Sequence, residues 1–213
     1  MMNNLRNELS QQVSEIYKSK DLSSIKDVVA QKIDGFTNNL TNQSFYKFCE
    51  DLKEEITEGR VERASYFNFP NYVCIIELPT KYLDEGSIEV RQSLIICISI
   101  LVDFYTMYFE ERYYFLKFKR GKSVSPCYAI HFFDEGGEAL KEKVNLQFIL
   151  EKMGQYFPTK ILAPHNLLKE MKIEGHVPFG NIPPPDDLKI AYSFFELLFD
   201  NTLSTVPPPE IFP

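Results

Sequence analysis

Between Leu94 and Phe109 the chain carries sixteen residues of which only Ser99, Asp103 and Thr106 are not apolar or aromatic. A helix that crosses a bilayer needs ~18–20 such residues. Here Asp103 interrupts the run and Glu110-Glu111-Arg112 closes it, which excludes a spanning helix and makes membrane association unexpected. Ile, Val, Tyr and Phe dominate the segment, so the pattern predicts buried strand rather than buried helix. A chain with such a segment must build a sheet and cover it.

The flanking sequence says with what. Leu5, Leu9, Val13, Ile16 and Tyr17 recur at spacings of three and four, the stripe of an amphipathic helix. Ile25, Val28, Val29 and Ile33 form a second stripe ending at Gly35, and Phe45, Phe48, Cys49, Leu52 and Ile56 a third that stops at Gly59, with Ser44 as the expected cap. The composition then changes. Val61–Phe69, Tyr72–Leu78, Ile88–Ile100, Leu101–Phe109, Tyr113–Lys119 and Tyr128–Phe133 read as strands. Connectors such as Asp84-Glu85-Gly86, Arg120-Gly121-Lys122 and Asp134-Glu135-Gly136-Gly137 separate several of them. Helical periodicity returns from Glu138 to Tyr156, and Pro185-Asp186-Asp187 opens a helix running through Tyr192, Phe195, Leu198 and Phe199. The stretch between Pro158 and Pro164, with the adjoining His165, reads as irregular; Val177–Pro185 reads as a Pro-rich loop and Val206–Pro209 as an extended tail. The expected fold is α+β: an antiparallel sheet of about four to six strands flanked by N-terminal and C-terminal helices. It forms one domain over 1–213, divided as helices 1–60, sheet 61–135 and helices 136–213.

The four cysteines, Cys49, Cys74, Cys97 and Cys127, show no CxxC spacing and sit among apolar neighbours. They are expected to be reduced, buried thiols and not zinc ligands. The amino-terminal residues Met1-Met2-Asn3-Asn4-Leu5-Arg6 lead into a polar helix rather than a signal core, so a cytoplasmic location is expected.

Chemistry is sparsely signalled. Gly121-Lys122-Ser123 has Leu116 where a phosphate loop requires Gly, and reads as a basic turn. His131, His165 and His176 are too scattered to share a metal. Cys127 and His131 share a strand face but lie ~13 Å apart, too far for a nucleophile pair. The acidic groups are Asp103, Glu110-Glu111 and Asp134-Glu135; Glu110 and Asp134 are expected near one end of the sheet. No catalytic residue, metal or cofactor is assigned.

The formal net charge is −7, with 18 Phe and 12 Tyr. This argues against nucleic acid as a partner, which needs a positive field. The reading favoured is a non-catalytic protein that binds another protein, with charge favouring a basic one. Glu110, Glu111, Asp134 and Glu135 would steer that partner, Asp103 would lie on an exposed or partner-covered face, and Tyr105 and Tyr108 would supply anchors. Small acidic immunity or antitoxin-like proteins of bacteria share this general character, an analogy of type that no motif carries. The alternative is a hydrolase-like enzyme with a dispersed site of Asp or Glu carboxylates and His131.

Overall fold

Three amphipathic helices open the chain because their apolar stripes find a sheet to lie on. The computed structural model describes residues 2–18, 22–37, 40–64, 70–115, 127–133, 144–174, 176, 178 and 191–199. Helix α1 spans Met2–Ile16, α2 Leu22–Thr37 and α3 Leu40–Glu55. Two boundaries differ from expectation. Helix α2 continues through Gly35, whose cost of about 1 kcal/mol a helix tolerates. Helix α3 starts at Leu40, so Ser44 lies inside it and caps nothing.

The strands are β1 Arg60–Arg63, β2 Asn71–Glu77, β3 Lys81–Leu83, β4 Ile88–Ser99, β5 Phe104–Phe115 and β6 Cys127–Phe133. They pair antiparallel in the order β1-β2-β4-β5-β6, with β3 also on β4. One strand departs from the expected antiparallel sheet. Strand β7, Ile161–Leu162, pairs parallel with Phe104–Tyr105 of β5, so the sheet is mixed. Backbone N–H groups of Ile161 and Ala163 donate to the carbonyls of Asp103 and Tyr105, at 2.9 and 2.8 Å.

Strands β4 and β5 are both 12 residues long, and the apolar run folds back on itself at residues 100–103. Ser99 makes that reversal: its Oγ accepts from the N–H groups of Leu101 and Val102 at 3.2 and 3.4 Å. The sequence pattern predicts one strand closing at Phe109 and another opening at Tyr113. Strand β5 instead runs straight through Glu110, Glu111 and Arg112.

Side chains alternate across the sheet, and both faces are dressed. Val73, Ile95, Cys97, Phe104 and Tyr108 pack with Leu9, Val13 and Ile16 of α1, Ile25 and Val29 of α2, and the C-terminal segment. Cys74, Ile76, Leu94, Ile96, Ile98, Tyr105 and Phe109 pack with Phe45, Phe48, Cys49 and Leu52 of α3 and with Ile149 and Met153 of α4, Leu146–Tyr156. Two covered faces explain the unbroken run Leu94–Ile98, since neither set of side chains meets water. Asn145 caps α4 by accepting from the Phe148 N–H at 3.1 Å. Cys49, Cys74 and Cys97 are buried and form no disulfide.

The C-terminal part holds further corrections. The stretch read as irregular carries β7, and His165 opens helix α5, His165–Glu170. Lys172–Glu174 forms β8, paired antiparallel with β9, Ala191–Ser193. The expected long helix through Tyr192 is thus a strand followed by α6, Phe194–Leu198. Ser193 and Glu196 form a reciprocal capping box that starts α6 at this position. No helix among the described residues is long and apolar enough to cross a membrane. The Gly121-Lys122-Ser123 turn, the start at Glu138, Pro185-Asp186-Asp187 and the tail Val206–Pro209 lie outside the described residues.

Candidate functional site at the outer end of the sheet

Strand β4 outruns its neighbours. Its pairing with β2 ends at Ser93, and the Leu78 N–H donates to the Gln92 carbonyl at 2.9 Å. Pro79, which has no N–H to give, interrupts the ladder. Strand β3 then resumes pairing, with Lys81, Tyr82 and Leu83 opposite Val90, Glu89 and Ile88. The result is a hairpin beyond the main sheet whose tip is Asp84-Glu85-Gly86-Ser87.

Two properties distinguish this tip. Tyr82 and Leu83 are 61% and 48% exposed, although they are large and apolar. Asp84 and Glu85 both hold left-handed backbone, at φ 48° and 51°, and among the described residues they are the non-glycine positions that do so. An L-residue in that region costs roughly 1–2 kcal/mol, less for Asp. The Ser87 N–H bonds the Asp84 carbonyl at 2.9 Å and closes the turn. Strain of this kind collects where a side chain must be presented in one direction.

Behind the tip, charged side chains form a ladder across β4 and β5. Glu89, Arg91 and Ser93 stand opposite Tyr114, Arg112 and Glu110. Arg91 and Arg112 face each other in register, a repulsive arrangement on its own. Each is neutralised by the glutamate two residues before it: Arg91 Nε lies 2.5 Å from Glu89 Oε1, and Arg112 Nε bonds Glu110 Oε1. The Arg91 guanidinium also sits 4.8 Å above the Tyr114 ring. Burial pulls the Arg112 pKa down, but bonds to Glu110 and Tyr114 outweigh it and leave the value raised. On the opposite face Glu111 accepts from Gln92 and, at 2.7 Å, from the Tyr113 hydroxyl. That bond raises the pKa of Tyr113.

The residues nominated from sequence are spread over three places. Glu110 and Glu111 lie mid-strand at this end of the sheet, on opposite faces, and Glu110 is only 3% exposed. They do not close the strand, as the charged run Glu110-Glu111-Arg112 predicts, because β5 continues through them. Asp103 lies at the other end of β4, in the 100–103 turn, with its carboxylate 60% exposed and 3.5 Å from Lys160 Nζ. Tyr105 and Tyr108 are buried, one in each core, so neither ring offers surface to a partner. Asp134 and Glu135 lie outside the described residues. The register sets His131 of β6 opposite Glu111. No three His, Cys, Asp or Glu side chains converge as metal ligands among the described residues.

Comparison with protein-family models, with curated proteins and with solved structures finds no match.

The sequence pattern does not single out Tyr82 and Leu83, although Asp84-Glu85-Gly86 reads as a turn. The available signal was an apolar pair wedged between Pro79 and an acidic turn, too short to register as a strand.

Proposed function

We propose that this chain acts by binding another protein whose contact surface is basic, with the β3–β4 hairpin as the contact. The observation that carries the reading is the pairing of exposed Tyr82 and Leu83 with Asp84 and Glu85 on a backbone held in left-handed conformation. An aromatic and an aliphatic side chain supply the desolvated centre of an interface, and acids at its rim set the charge of the partner. The cations behind the tip do not compete, because Arg91 is matched by Glu89 and Arg112 by Glu110. The general type is that of small acidic immunity or antitoxin-like proteins. Buried thiols at Cys49, Cys74 and Cys97 suit action in the reducing cytoplasm.

A photo-crosslinking residue placed at Tyr82, compared with one at Leu162 on β7, tests the proposal in cells. A single basic protein trapped from position 82 and absent from position 162 is the expected result. Equal trapping at both positions, or none at position 82, overturns it. A carboxylate–histidine enzyme is the second reading, favoured by the register of His131 against Glu111. It requires turnover that His131→Ala abolishes.

A further inference from the structure

The opposite end of β4 opens into a cleft of about 540 Å³, a size typical of small-molecule sites. It lies roughly 36 Å along the strand from the hairpin, at ~3.3 Å per residue. Helix α1 contributes Glu15 and Ile16, α2 contributes Val28 and Lys32, the 100–103 turn contributes Asp103, and Lys160 enters from the segment between α4 and β7.

The two ammonium groups are held by successive carbonyls of one turn. Lys32 Nζ donates to Leu101 O at 3.0 Å, and Lys160 Nζ to Val102 O at 2.5 Å. Lys160 is 7% exposed and forms the floor, with Asp103 Oδ1 at 3.5 Å. Gln12 fixes the turn from the side, its Oε1 accepting from the Asp103 N–H at 2.9 Å. Lys32, Glu15 and Asp103 are exposed at the mouth. The lining therefore combines apolar side chains with two cations and two anions drawn from four separate elements.

We propose that this cleft binds a small zwitterion bearing both an ammonium and a carboxylate, of which an α-amino acid with an apolar side chain is the simplest. Its carboxylate faces Lys32 above the Lys160 floor, its ammonium faces Glu15 and Asp103, and its side chain lies on Ile16 and Val28. A lone anion would meet two carboxylates at the entrance, and a lone cation would meet two ammonium groups, so neither half binds well alone. Burial, with Lys32 adding like charge, pushes the Lys160 pKa down against the pull of Asp103.

Titration calorimetry on the full chain decides the matter, using leucine, methionine and phenylalanine as probes. 4-Methylpentanoate and 3-methylbutylamine serve as the two halves of leucine. At least one amino acid should bind, with each half-ligand weaker by roughly tenfold or more. Lys32→Met and Glu15→Gln should each weaken the amino acid by roughly tenfold; Glu15→Gln should leave the melting temperature unchanged because its side chain is exposed, whereas Lys32→Met also gives up the bond to the Leu101 carbonyl. No heat from any amino acid up to about 10 mM overturns the proposal. So does a half-ligand that binds as tightly as its parent, which would make the cleft a simple anion or cation site. Binding indifferent to both variants would place the ligand elsewhere and also overturn it.

Discussion

The imidazole of His165 lies 4.0 Å, centroid to centroid, from the phenol ring of Tyr108 and is tilted 24° to it, with each residue 1% exposed. Phe195 closes on both rings edge-on, at 4.6 Å from His165 and 5.9 Å from Tyr108. A protonated imidazole has no place in this stack. Burial first, and the charge of Lys169 second, pull the His165 pKa down to about 3. The unfolded chain binds that proton near the ordinary value of about 6.5. Between these values the unfolded state holds more protons, so stability is full above about pH 6.5 and falls as pH drops, by up to ~1.4 kcal/mol per unit. His176, lowered by burial as well, adds the same sign. The urea midpoint is expected to fall between pH 7 and pH 5, a window above the titration of the carboxylates. His165→Phe should flatten that fall, and an unchanged slope would remove His165 as its source.

Hairpin strain is measurable directly. Glu85→Gly should raise stability by about 1 kcal/mol in urea unfolding, because glycine enters left-handed backbone without penalty. Asp84→Gly should gain less, since Asp tolerates that region better. If the strain orients Tyr82 and Leu83, the stabilised Gly variant should bind its partner more weakly than the parent.

Two glycines should respond to alanine with opposite signs. A Cβ at Gly59 would lie 2.7 Å from the Glu77 carbonyl oxygen, which is backbone and cannot swing away, and 3.1 Å from Ile56 Cγ2. Gly59→Ala should therefore cost about 1–3 kcal/mol. Gly154 lies within α4 with open space around it, so Gly154→Ala should gain roughly 0.5–1 kcal/mol from helix propensity. Chemical denaturation of the pair checks both.

Glu110 and Glu89 occupy equivalent steps of the ladder but differ in consequence. Glu110→Gln leaves the half-buried Arg112 without its counter-charge and should cost about 1–3 kcal/mol. Glu89→Gln, facing the exposed Arg91, should cost less than ~1 kcal/mol. Equal losses would mean that burial does not set the strength of these pairs.

The acids that steer association should be those of the tip. Asp84→Asn with Glu85→Asn should slow association with the crosslinked partner and reduce its salt dependence, while changing dissociation little. Tyr82→Ala should act the other way, hastening dissociation. Surface plasmon resonance at low and high salt separates the two. An on-rate insensitive to both acids and salt removes steering from the hairpin.

The broad architecture was legible because the period of apolar residues changes near Gly59 and again after β6, and period follows directly from backbone geometry. What failed did so for tertiary reasons. Glu110, Glu111 and Arg112 look like the end of a strand, but the charges pair within the sheet and let β5 continue through them. Ala191-Tyr192-Ser193 carries helix-like spacing yet pairs with Lys172–Glu174, a partner that local sequence cannot announce. Tyr105 and Tyr108 resemble anchors of an interface, and both cores claim them first. Lys160 gave no signal at all. Its role depends on meeting the turn carbonyl of Val102, 58 positions away.

The two layers that cover the sheet draw on very different lengths of chain. The layer with α3 and α4 uses residues from Phe45 to Phe157, whereas the layer with α1 and α2 needs both Leu9 and Phe199. The Tyr17 hydroxyl donates to the Leu197 carbonyl at 2.8 Å, a bond between residues 180 apart. During synthesis, which delivers the chain from its N-terminus, the stripe of Leu9, Val13 and Ile16 therefore leaves the ribosome long before its C-terminal cover. One face of the sheet can close completely while the other, on which α1 and α2 rest, still lacks Phe194, Phe195 and Leu197 to Phe199. In a nascent chain the α1–α2 layer is therefore the last part of the core to be completed.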